Sequence, residues 1–173
     1  MKVLVTAATK HGATGEIADA LAAKLEAEGL TVVKADPDDV EDLDGVEAVV
    51  LGSAVYAGQW LSSAKGFVER LGALLVERRV WLFSSGPVGD PPKPAEDPAE
   101  VAALIEATRA DGHRVFPGKL DRSALSFGER AIVKVVRAAD GDFRAWDEIA
   151  AWSAEIAAAL REEPAEPSQP GQP

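Results

Sequence analysis

Three short stretches hold the residue types from which a small-molecule site is built. The first, Thr9-Lys10-His11-Gly12-Ala13-Thr14, follows an apolar run and precedes a helical pattern. A helix N-terminus presents unpaired backbone N–H groups and the positive end of its dipole, which together hold an anion. The hydroxyls of Thr9 and Thr14 add donors and Lys10 can balance charge, so a terminal phosphate suits this segment. The same residues also suit an ordinary strand-to-helix turn capped by Thr, with Lys10 in solvent, and local sequence leaves both readings open. His11 has no carboxylate near it in the chain to tune it, so it reads as a cap on the loop rather than a proton carrier. The second stretch contains Ser53, Ala54, Val55, Tyr56, Ala57, Gly58 and Trp60; the third is Ser84-Ser85-Gly86-Pro87-Val88-Gly89. Small residues let backbone approach a ligand closely. Tyr56 is flat enough to cover a planar ring, and Trp60 is either a second such face or a core residue at a helix start.

The elements that must position these stretches are legible from periodicity. Apolar runs at 2–8, 30–35, 46–51, 79–83 and 113–116 lack alternation, the mark of strands buried on both faces. Helical patterns lie between them at 16–28, 60–75 and 100–111 and after them at 123–138 and 143–161, with Gly29 placed as a helix-ending residue. Residues 54–59 and the proline-rich 88–98 read as loops. Strands alternating with helices imply an α/β fold: a doubly wound five-stranded parallel sheet, order 2-1-3-4-5, with an extra helix after strand five. In such sheets ligands bind beyond the carboxyl ends of the strands, at the switch in strand order. All three stretches fall there. One domain is expected over 1–161, with a Pro-spaced disordered tail over 162–173.

Composition removes several classes. The 173 residues include 18 Lys+Arg and 29 Asp+Glu, a net charge of −11, which argues against nucleic acid. Cys is absent and only two His occur, so disulfides, thiolate sites and His-rich metal centres are out. The acidic run from Asp36 to Asp44 lacks the spacing of a calcium loop and reads as a solvated face. No P-loop and no G-x-G-x-x-G pattern is present. No signal peptide and no membrane-spanning run are visible, so a cytoplasmic location is expected.

The three stretches, taken in order, resemble those of flavodoxins: a phosphate loop at Thr9–Thr14 and two loops flanking the flavin ring at 53–60 and 84–89. More narrowly, the chain resembles the flavodoxin-like menaquinone-dependent protoporphyrinogen IX dehydrogenase family. That likeness is carried by the first two loops, by Phe67-Val68-Glu69, and by Gly118-Lys119-Leu120, Phe127-Gly128-Glu129-Arg130-Ala131-Ile132-Val133-Lys134 and Asp142-Phe143-Arg144-Ala145-Trp146. The resemblance implies noncovalent FMN, no catalytic side chain, no metal, and porphyrin biosynthesis as the setting. It implies protoporphyrinogen IX as substrate and a quinone or redox protein as acceptor. Residues 84–90 depart from the flavodoxin pattern in holding no aromatic. A flavodoxin-type electron carrier without its own substrate is the alternative reading, favoured by the acidic charge.

Two further segments carry expectations. Residues 122–137 mix apolar Leu125, Phe127, Ile132, Val133, Val135 and Val136 with basic Arg122, Arg130, Lys134 and Arg137. Such a helix either packs on the domain with its charges in solvent or lies peripherally on the inner face of an anionic membrane. Trp146, Ile149, Trp152, Ile156 and Leu160 are expected as the buried stripe of the last helix, and His113 as a structural residue at a strand start.

Overall fold

The computed structural model describes residues 1–86, 100–121, 123, 125–136 and 140–162. Pro87, Val88 and Gly89, the loop expected over 88–98, Arg122, Arg137 and the tail from 163 onward lie outside the described residues.

The apolar runs form parallel strands β1 (Lys2–Ala8), β2 (Thr31–Ala35), β3 (Ala48–Tyr56), β5 (Arg79–Ser85) and β6 (Gly112–Phe116), in the order β2-β1-β3-β5-β6. This is the expected five-strand order, with one short antiparallel strand, β4 (Gln59–Trp60), added beside β3. Alternate residues of the central strands feed two cores. Val3, Val5, Ala48, Val50, Trp81, Phe83 and Phe116 pack against α1 (Ala13–Ala27) and α5 (Trp146–Arg161). Leu4, Val49, Leu51, Val80 and Leu82 pack against α2 (Ser62–Leu75) and α3 (Val101–Thr108) on the other face. Each fully buried Leu or Ile, such as Leu21 or Ile156, contributes about 1.5–3 kcal/mol relative to exposure. Helix α1 ends as its sequence requires. Gly29 sits at φ 87°, and the N–H groups of Gly29 and Leu30 reach back to the carbonyls of Glu26 and Leu25.

Four local expectations are corrected. Residues 54–59 are not a loop. Strand β3 continues to Tyr56 and folds back through Ala57 (φ 50°) and Gly58 (φ 75°) into β4. Two successive left-handed residues make a hairpin turn whose twist matches its strands. The extra helix is shorter than 123–138: α4 covers Phe127–Val136. A two-stranded antiparallel ribbon brackets it, β7 (Lys119–Leu120) with β8 (Gly141–Asp142). Helix α3 stops at Thr108, because Arg109 turns left-handed (φ 52°), and Gly112 opens β6 instead of closing the helix. Trp146 is not in the buried stripe. It is 44% exposed at the first position of α5, with the Arg144 guanidinium 4.5 Å from its ring centre.

One contact locks the centre of the sheet. Gly52 on β3 faces Phe83 on β5, and a Cβ added there would stand 2.0 Å from the Phe83 ring. Phe83 is fully buried against Phe116 and Trp152, so it has no room to retreat. Gly52→Ala is therefore expected to destabilise the fold by about 1–3 kcal/mol, the usual cost of overpacking a closed core. Denaturant unfolding of G52A, F83L and the double variant checks this: the double should be less destabilised than the sum of the singles. Additive losses would show that the two residues do not share the space.

Candidate functional site

Parallel pairing sets the carboxyl ends of the strands in one row: Ala8 lies opposite Ser53, Ser53 opposite Ser84, and Ser85 opposite Phe116. The three stretches singled out from sequence therefore emerge along a single edge. On the first, Gly12 is the residue preceding α1, at φ 85°, and no side chain caps the helix. The Thr-capped turn is thus not what forms. Thr9 Oγ1 instead accepts the Gly12 N–H at 3.1 Å and tightens the loop, while Thr14 is buried inside the first turn. Among the described residues the opening N–H groups of α1 have no side-chain cap, which is the condition for holding an anion.

His11 does have a carboxylate, supplied from 118 residues away. Glu129 Oε1 lies 2.6 Å from Lys10 Nζ and 3.0 Å from His11 Nε2. Its other oxygen, Oε2, accepts the Ser126 N–H at 2.8 Å, and Ser126 Oγ accepts the Glu129 N–H at 3.4 Å. This reciprocal pair is a capping box at the start of α4. Glu129 is only 13% exposed. Hydrogen bonds from Lys10 first, then from Ser126 and His11, hold its carboxyl well below the usual carboxylate range. Tyr56, at the end of β3, completes the cluster: Lys10 Nζ lies 5.0 Å from its ring centre and the His11 ring 6.2 Å away. Its phenol is pushed up to about 12, by burial first and by the Glu129 charge second.

The second and third stretches are joined below the surface. The Trp60 indole is buried, and Nε1 donates to Ser84 Oγ at 2.8 Å; Ser84 Oγ lies 2.9 Å from His113 Nε2. Trp60 thus anchors the hairpin to β5 from within the core. Ser53 Oγ donates to the Ala54 carbonyl and accepts the Leu61 N–H, so that hydroxyl is also spent on the hairpin. Ser85 is buried. Gly86 packs on Val55, and the Gly118 and Gly86 backbones approach so closely that a Cβ on Gly118 would sit 3.4 Å from Gly86 Cα. Val55 and Tyr56 are half-buried, Ala57 and Gly58 exposed, so the upper part of the hairpin is what faces outward.

A further tie comes from Arg144, which is 4% exposed. It pairs with Asp142 at 2.6 Å and Glu16 at 2.5 Å, and Nη1 reaches the Ala13 carbonyl at 3.4 Å. The side-chain hydrogen bond to Asp142 is the largest cause raising its pKa. The segment after β8 is thereby fastened to the first turn of α1.

The family model of the flavodoxin domain matches residues 4–145. The chain is similar in fold to a flavodoxin from the domain Archaea, at 17% identity and TM-score 0.63, covering 94% of this chain and 100% of that one. It is similar to a Streptococcus pneumonia TIGR4 flavodoxin at 18% identity and TM-score 0.62, covering 92% and 99%. It also resembles part of a rubredoxin oxygen:oxidoreductase from Desulfovibrio gigas, at 16% identity and TM-score 0.63, covering 92% of this chain and 36% of that one. No curated protein matches the sequence.

Tyr56 is the only tyrosine, so phenolate absorbance reports on it alone. Its pKa rises from about 10 in the unfolded chain to about 12 in the fold. The unfolded chain therefore releases its proton first, and this residue's contribution to stability is present below pH 10 and lost as pH rises toward 12. An absorbance titration should show the delayed phenolate, and Glu129→Gln should shift it part of the way back. A midpoint near that of free tyrosine would contradict the packing described.

Proposed function

The chain belongs to the flavodoxin-domain family, whose cofactor is FMN, and on that premise we propose that it is an FMN-dependent oxidoreductase of the menaquinone-dependent protoporphyrinogen IX dehydrogenase type. The residues present fit the cofactor. The uncapped start of α1, with Thr9, Gly12, Ala13 and Thr14, would hold the phosphate, with the Lys10 ammonium and the His11 ring beside it. Tyr56 would cover one face of the ring system, its phenol kept neutral across the physiological range. The backbone of 84–86 would border the other side, with 87–89 assigned there by sequence alone. When bound, the flavin supplies reversible one- and two-electron redox chemistry. The chain's part is to bind, orient and shield it, and this reading needs no side-chain acid or base.

One observation supports the oxidoreductase reading above the bare fold. Each of the three C-terminal stretches that carry the narrower resemblance touches the site's loops or the first turn of α1. Gly118 packs on Gly86, Glu129 pairs with Lys10 and His11, and Arg144 reaches Ala13 and Glu16. The segment from β7 to β8 is surplus to a five-stranded sheet, yet it is tied to the mouth of the site rather than to a remote surface. Protoporphyrinogen IX and a quinone are the substrate and acceptor this reading assigns. Among the described residues no helix is long and apolar enough to cross a membrane. A lipophilic acceptor would be met peripherally by α4, where Phe127 is 92% exposed and Arg130 is exposed beside it.

The electron-carrier reading is favoured by the net charge of −11, which suits docking to a basic protein. Steady-state turnover separates the two. FMN-loaded protein should oxidise protoporphyrinogen IX repeatedly with a menaquinone analogue as acceptor. Flavin reduction by a redox partner without porphyrinogen turnover would favour the carrier. Thr14→Ala should weaken FMN by about 1–2 kcal/mol in a fluorescence titration, the loss of one hydrogen bond to a charged group.

A further inference from the structure

We propose that Glu129 sets how strongly this site prefers a phosphorylated flavin, by competing with the flavin phosphate for Lys10 and His11. The inference rests on the FMN reading above and concerns the balance of charge at the phosphate loop. Lys10 and His11 immediately precede Gly12, the residue that opens α1, so an anion seated on that helix lies beside both in the chain. Both already point at Glu129 Oε1, at 2.6 and 3.0 Å. The carboxylate is not free to swing aside, because Oε2 is engaged by the Ser126 N–H of the capping box. Withdrawing it would undo the first turn of α4. A bound phosphate must therefore share the Lys10 ammonium and the His11 ring nitrogen with a fixed negative charge.

The other charged groups close by do not relieve this conflict. Tyr56 is a neutral phenol below pH 10, and Arg144 is already paired with Asp142 and Glu16. Riboflavin, which lacks the phosphate, makes no demand on Lys10 or His11 and is indifferent to the carboxylate. Glu129 thus taxes FMN selectively and narrows its advantage over riboflavin. The same contact makes α4 responsive to the cofactor, since the phosphate draws on the two side chains that hold the helix down.

The test uses the full chain stripped of flavin, titrated with FMN and with riboflavin and read by quenching of flavin fluorescence. Glu129→Gln removes the charge and keeps the cap, because Gln serves equally at that position of a capping box. It is expected to tighten FMN roughly fivefold, the scale of a partly exposed ion pair, and to leave riboflavin within about twofold. In a Lys10→Gln background the gain should shrink, since the contested ammonium is gone. Glu129→Ala, which drops charge and cap together, should move FMN in the same direction. FMN binding that is unchanged or weaker in E129Q would overturn the proposal while leaving the FMN reading intact. Equal tightening of FMN and riboflavin would also overturn it, by placing the effect at the ring or at α4. A wild-type protein that binds the two flavins equally would remove the phosphate site, and the proposal with it.

Discussion

The register of β3 between β1 and β5 determines where everything else can stand. With both faces of the sheet covered, each residue of these strands is committed to one core or the other. A one-residue slip would exchange them all. The Gly52–Phe83 contact pins that register, because only a residue without a side chain fits beneath the ring. Once it is set, Ala8, Ser53 and Ser84 stand opposite one another and Ser85 opposite Phe116, and the segments that follow them share one edge. The buried Trp60–Ser84 hydrogen bond then fixes the hairpin against β5, so Tyr56 is presented from a rigid support.

What distinguishes this chain from the bare five-strand fold is the excursion between β6 and α5. It leaves the sheet at Gly118, is closed at its base by the β7–β8 ribbon, and returns at Arg144. Two of its anchors are polar: Glu129 at the loop before α1 and Arg144 at the first turn of α1. Polar anchors of this kind respond to ligands that carry charge, whereas apolar packing would not. Helix α4 is therefore attached to the loop before α1, the proposed phosphate site.

The parallel strands were readable because burial on both faces leaves near-continuous apolar runs, as in Val46–Leu51. The end of β3 was not readable. Its hairpin turn begins with Ala57, where Asn or Gly would have announced a left-handed residue. The ribbon was hidden too, since two residues per strand carry no periodicity and the partners lie 21 and 23 residues apart. The start of α4 did have a signal. Ser126 and Glu129 have capping-box spacing, and reading it would have moved the helix start from 123 to 127. The partner of His11 had none, because tertiary structure alone brings Glu129 across 118 residues. Trp146 fitted the spacing of the buried face but stands on the opening residue of α5, beyond the covered part of the helix.

The central claim is that the edges after β1, β3 and β5 form one FMN site. Amide hydrogen exchange with and without FMN tests it most directly, because protection is resolved along the chain. The account predicts slower exchange on FMN addition at 9–16, 55–60 and 84–86, with the edge strand β2 and the far ends of α2 and α5 unchanged. Protection confined to other segments, or none in the Thr9–Glu16 peptide at saturating FMN, would contradict it.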